Sequence, residues 1–187
     1  MQAELKKSEQ ILKDGKLLLY PTDTVWGIGC DATNPDAVQK VYNLKQRDDS
    51  KALICLVSSV EMLKDYVDYV PAEAVDIILK NTKKPTTIIY YANEKLAQNL
   101  LAEDNSVAVR VSQSEFCQRL INNFGKPIIS TSANISGVST PQNYNEIQPE
   151  ILKGVDYVVN LQKSKKNAQP SQILKIDKSG QIHVIRP

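Results

Sequence analysis

Apolar runs too short to be helices alternate along this chain with segments of helical period, and that alternation constrains the fold more than any other feature. Leu17-Leu18-Leu19-Tyr20, Ala52 to Val57, Thr86 to Tyr91, Ser106 to Val111 and Pro127 to Ser130 read as strands. Between them, residues 4–14 place Leu5, Ile11 and Leu12 on one helical face before Gly15. Asn34-Pro35 joins a capping side chain to a first-turn proline, and Val38, Val41, Tyr42 and Lys45 follow at helical spacing. Pro71 to Lys80 is a further helix with Val75, Ile78 and Leu79 expected inward. Ser114 caps another, which buries Cys117, Leu120, Ile121 and Phe124 and ends at Gly125. The rest is read as a helix over 145–153, a strand over 156–161, a polar lysine-rich loop over 162–170 suited to a lid, and two strands joined by Lys178-Ser179-Gly180. This is an α/β pattern, and its closing hairpin implies a mixed sheet.

At 187 residues the chain can bury a core without a disulfide or metal staple. No repeat or linker divides it, so one domain over 1–187 is expected. Cys30, Cys55 and Cys117 lack paired metal-ligand spacing, the N-terminus MQAELKKSEQ is charged, and no apolar run is long enough to cross a bilayer. These features fit a cytoplasmic protein without a membrane partner. Net charge is only +2, yet Lys45, Arg47 and Lys51 cluster, as do Lys83 and Lys84, and Lys163, Lys165 and Lys166. Each cluster serves either a phosphate-bearing ligand or solubility.

The single histidine, His183, lies in an expected terminal strand, and the zinc, Walker and dinucleotide signatures do not occur. What recurs is a set of polar residues where strands end: Pro21-Thr22-Asp23-Thr24, Thr86-Thr87, Arg110, and Ser130-Thr131-Ser132-Ala133-Asn134. Ligands of open α/β sheets bind at such ends. Hydroxyls, amides and backbone N–H groups suit phosphate oxygens, and Arg110 suits a carboxylate. The same residue types also make ordinary turns and caps, so on types alone both readings stand. Trp26 is expected in the core rather than under an adenine, and Asp23 belongs either to a turn or to a metal.

Taken in order, these segments resemble the YrdC-type family of L-threonylcarbamoyladenylate synthases. PTDTVWGIGCDA is similar to the family's P-T-[ED]-T-V-Y-G-L-G-x-[DN]-A, and VYNLKQR with Lys51 is similar to its K-x-R segment. KPTTII, SVAVRV and STSANISG match its P-G-P-x-T, V-x-[VI]-R and S-x-S-A-N-x-S-G segments. The resemblance implies a YrdC-like twisted, open mixed α/β sheet with a large, positively lined cavity. It implies a reaction in which L-threonine, bicarbonate and ATP, with Mg²⁺, give L-threonylcarbamoyl-AMP and pyrophosphate for tRNA threonylcarbamoyladenosine. No protein nucleophile is required. Thr24, Arg110, Ser130 and Ser171 match threonine-holding positions. Arg47, Lys51, Ser106, Ser132, Thr140 and Arg186 match nucleotide-contacting ones, and Lys45 and Asn134 belong to the same motifs.

Implied partners are the downstream tRNA threonylcarbamoyl transferase proteins, with contact to tRNA or double-stranded RNA a further candidate. Against the family pattern, Trp26 replaces a tyrosine, Asp48 and Ala52 stand where prolines are frequent, and Lys83-Lys84 replaces proline-glycine. Ser112 and Ser114 replace a proline and a histidine, and no counterpart of the longer members' C-terminal domain is expected. The competing reading is a non-catalytic RNA-binding module with a basic concave face. Only charge supports it.

Overall fold

The computed structural model describes residues 1–46, 53–80, 84–163, 171–177 and 180–187. Arg47, Lys51, Lys83, Lys165, Lys166 and most of the lysine-rich loop fall outside the described residues. The strands are β1 (Leu18–Pro21), β2 (Trp26–Gly29), β3 (Ile54–Val57), β4 (Thr86–Tyr91), β5 (Ser106–Val111), β6 (Ile128–Ser132), β7 (Tyr157–Val158), β8 (Gln172–Ile176) and β9 (Ile182–Arg186). The helices are α1 (Gln2–Lys13), α2 (Pro35–Lys45), α3 (Val60–Lys64), α4 (Ala72–Lys80), α5 (Glu115–Phe124) and α6 (Pro149–Gly154). All the strands join one sheet in the order β7-β1-β2-β6-β3-β5-β4-β8-β9. It is mixed, with β3 parallel to β5 and β4 parallel to β8, while β6 is antiparallel to both its neighbours.

Strand alternation sends successive side chains to opposite faces, and it sorts the core into two layers. On one face Leu5 and Leu12 of α1 and Phe116, Leu120 and Phe124 of α5 pack over Leu18, Tyr20, Leu56 and Ile128. On the other, Val38, Val41 and Tyr42 of α2 join Leu19, Ile28, Cys55, Val57, Val107, Val109, Ile88 and Leu174. Helix ends follow local chemistry. The Asn34 carboxamide accepts from the N–H groups of Asp36 and Ala37, and Gly125 closes α5 at φ 76°.

Several expectations change. β2 was not anticipated, because Gly27 and Gly29 weaken the strand signal. Pro149 cannot continue a preceding helix, so the helix expected over 145–153 becomes a 3₁₀ turn at Tyr144–Glu146 followed by α6. β7 keeps only two residues of the strand expected over 156–161. On α4 the buried residue is Ala74, whereas Leu79, expected inward, is 64% exposed. β6 runs through Ser132, so the first hydroxyls of STSANISG are strand residues. Trp26 is core, its ring 5.2 Å from that of Tyr144.

Glycine is required at position 29. A Cβ there would lie 2.5 Å from both the Ile129 carbonyl oxygen and the Tyr20 ring, and Tyr20 is itself held by donating to that carbonyl at 2.8 Å. Gly29→Ala is therefore expected to lower unfolding stability by about 2 kcal/mol in a denaturant titration, with an unchanged value rejecting this packing account. At the sheet edge, the Tyr157 hydroxyl and the Asn160 N–H both donate to Glu4 Oε2 at 2.8 Å, tying α1 to β7. Partial burial pushes the Glu4 carboxyl up, but these two bonds and nearby positive charge hold it below its usual value. A depressed folded-state pKa contributes stability above the unfolded value of 4.5 and loses it as pH falls through the folded one. Glu4→Gln should thus lower unfolding stability at neutral pH by about 1 kcal/mol after solvent screening. The gap to the unaltered chain should narrow as pH falls below 4.5 and close below the folded-state pKa, and a gap constant with pH would exclude this linkage.

Candidate active site

The turn from β1 into β2 is built by its own hydroxyls. Thr22 Oγ1 accepts from the Thr24 N–H at 3.0 Å and donates to the Val25 carbonyl at 2.7 Å, which fixes Thr24 toward the neighbouring strands. Arg110, near the end of β5, reaches this turn. Its Nη1 donates to Thr24 Oγ1 at 3.2 Å and its Nη2 lies 3.5 Å from Asp23 Oδ1. The guanidinium is only 3% exposed, and a cation this deep persists only when paired.

From β6 come Ser130 and Ser132, set opposite Ile54 and Gly27. Ser130 Oγ lies only 3.0 Å from where a Cβ on Gly27 would stand, so that glycine leaves room for the hydroxyl. Across β4, Ser171 Oγ and Thr87 Oγ1 share a hydrogen bond of 2.8 Å, and Arg186 on β9 donates from Nε and Nη2 to the Ser171 carbonyl at 3.1 and 2.7 Å. These groups surround one cavity of about 360 Å³, a size that suits small ligands. Thr24, Arg110, Ser130, Ser132, Thr140, Ser171 and Arg186 all line it. Its floor is apolar, from Ile54, Ala108, Ile89 and Ile173.

Three sequence candidates stand elsewhere. Lys45, which the motifs associate with phosphate, is 1% exposed, and its Nζ donates to the carbonyls of Ser132 and Asn134 at 2.5 and 2.6 Å. It holds the STSANISG loop from behind. Asn134 is built into that loop, donating from Nδ2 to the Ile135 and Val138 carbonyls at 3.0 and 2.7 Å. Ser106 opens β5 and lines a separate hollow with Asp104 and Lys175. The floor residues were not singled out from sequence; the signal for them was strand alternation, which puts Ala108 on the same face as Arg110.

The protein's thiols offer no nucleophile. Cys117, nearest the PTDT turn, donates to the Pro21 carbonyl, and burial pushes its pKa up to about 11. Cys30 and Cys55 are raised further by burial. His183, on β9, pairs with Asp177 just after β8 and does not line the cavity. A larger hollow of about 710 Å³ lies apart from these groups, but Asp68, Glu73, Asp104 and Asp177 line it and their charge opposes a polyphosphate. No described helix is long and apolar enough to cross a membrane.

Comparison with known proteins gives the chain's family and fold. A relative from Vibrio campbellii, named threonylcarbamoyl-AMP synthase, is 36% identical over 183 residues, covering 91% of this chain and 99% of its own. The crystal structure of P. abyssi Sua5 complexed with L-threonine superposes with a TM-score of 0.83 at 24% identity, over 91% of this chain and 50% of that one. E. coli YciO superposes with a TM-score of 0.85 at 22% identity over 100% of this chain and 89% of its own, and for both structures the likeness is one of fold. The chain spans about half the length of the Sua5 protein. The family model described as telomere recombination, Sua5_yciO_yrdC, matches residues 10–187, and the chain belongs to that Sua5/YciO/YrdC family.

Proposed function

We propose that this chain is an L-threonylcarbamoyladenylate synthase, converting L-threonine, bicarbonate and ATP into L-threonylcarbamoyl-AMP, pyrophosphate and water. The observation that carries the reading is the convergence of Thr24, Arg110, Ser130 and Ser171 on one cavity, in a chain whose relatives bear the synthase name. Arg110 offers N–H groups to the amino-acid carboxylate, and the hydroxyls of Thr24, Ser130 and Ser171 orient the rest of the molecule. Ser132, Thr140 and Arg186 stand on the same cavity for the nucleotide, with Arg47 and Lys51 assigned to its phosphates by motif.

The chemistry needs placement more than a protein nucleophile. The deprotonated amine of threonine attacks the bicarbonate carbon, and loss of water leaves a carbamate. A carbamate oxygen then attacks the α-phosphorus while pyrophosphate departs. Holding the reactants in line and stabilising charge on the phosphates supplies the rate. The apolar floor of Ile54, Ala108, Ile89 and Ile173 limits water around the labile carbamate. No carboxylate lines the cavity among the described residues, so Mg²⁺ is assigned to the ATP triphosphate as part of the substrate. A cytoplasmic setting, transfer of the adenylate to tRNA threonylcarbamoyl transferase proteins, and contact with tRNA complete the proposal.

Pyrophosphate release by the purified chain with Mg-ATP is expected to require both bicarbonate and L-threonine. Release that ignores L-threonine would assign a different acceptor, and RNA binding that weakens steeply with salt, without any release, would favour the binding module instead. Arg110→Ala should raise the threonine KM by roughly tenfold to a hundredfold, the value of hydrogen bonds to a charged group, while the ATP KM changes little. Unchanged threonine kinetics in a folded variant would remove Arg110 from the site.

A further inference from the structure

Asp23 is the carboxylate that faces Arg110, and three features of the pair stand out. The contact is loose, 3.5 Å from Nη2 to Oδ1, longer than a bidentate arginine–carboxylate bond. Asp23 Oδ2 and Arg110 Nε are both buried without a hydrogen-bond partner. The same Asp23 oxygen is also held by Ser112, whose Oγ donates to Oδ1 at 3.3 Å. Ser112 is in turn anchored to the start of α5, its Oγ accepting from the Ser114 N–H at 3.2 Å and its carbonyl accepting from Gln118 Nε2 at 2.7 Å.

A full fork-to-fork pair would occupy an edge of the guanidinium and leave less for a ligand. A missing carboxylate would leave a buried cation that reorients or draws in a counter-ion. The observed geometry lies between these extremes. It neutralises the charge through a single long contact rather than a bidentate one, on a side chain that lines the cavity.

We propose that Asp23, restrained by Ser112, is a positioning residue that sets the angle of the Arg110 guanidinium for the substrate carboxylate. This rests on the reading of Arg110 as the carboxylate partner. The tether uses a hydroxyl where the family pattern commonly has proline, which has none to offer. Asp23 also places negative charge beside the arginine, which favours a single carboxylate at this position over a triphosphate.

The test compares threonine and ATP KM values for Asp23→Asn, Asp23→Glu and Ser112→Ala, with threonine binding measured by calorimetry. Asp23→Asn is expected to raise the threonine KM about tenfold and leave the ATP KM within about twofold, with Asp23→Glu recovering part of the loss. Ser112→Ala should shift the threonine KM the same way by about threefold. In the Arg110→Ala background Asp23→Asn should weaken threonine binding no further, because the aspartate acts through the arginine. An unchanged threonine KM in folded Asp23→Asn, an equal rise in both KM values, or a full additional loss without Arg110 would each overturn the proposal. If Asp23→Asn does not fold, an unchanged threonine KM in Ser112→Ala overturns it. If the unaltered chain fails to use L-threonine, the synthase reading itself falls, an outcome distinct from these.

Discussion

The antiparallel pairing of β6 with strands on both its sides is the interaction on which the rest of the sheet depends. Thr131 and Ser132 pair with Ile28 and Gly27 of β2, and Ile128, Ile129 and Ser130 pair with Leu56, Cys55 and Ile54 of β3. The strand therefore sutures the half that carries the PTDT turn to the half that carries Arg110. It also changes character along its length. Ile128 and Ile129 feed the two opposite core layers, and the following hydroxyls keep the same pleat but meet a cavity. Core packing on the first part thereby aims the second.

Much of this architecture is legible in the chain. Helix α5 has its cap, its apolar face and its terminal glycine where elementary rules put them, and β4 and β5 follow from β-branched residues bounded by turns. What was hidden has physical causes. β2 is built around two glycines tolerated for close approach rather than for strand preference, so its signal is weak. The outward turn of Leu79 is a tertiary outcome, since the apolar period on α4 does not say how much of its face meets the sheet.

The site divides in the same way. Hydroxyls at strand ends and one arginine were visible as chemistry, and the fold brings them together. Lys45 could not be placed from type alone, because a lysine on a buried helical face serves backbone carbonyls as readily as a ligand. Three of the departures from the family pattern, Ser112, Ser114 and Trp26, are structurally employed. Ser114 accepts from the Cys117 N–H at the start of α5, Ser112 bonds Asp23, and Trp26 fills the core against Tyr144.

The bonds made by Lys45 have a mechanical meaning. Its ammonium holds the carbonyls of Ser132, at the end of β6, and Asn134, just beyond it, while its own carbonyl accepts from the Ser136 N–H at 2.9 Å. Both ends of one residue thus clasp one loop, at the last position of a helix whose next residues lead to Arg47. Ser132, Asn134 and Ser136 are thereby fastened to the C-terminal end of α2 through a single side chain and its own backbone. The hydroxyl wall of the cavity and the C-terminal end of α2 therefore share one fastening.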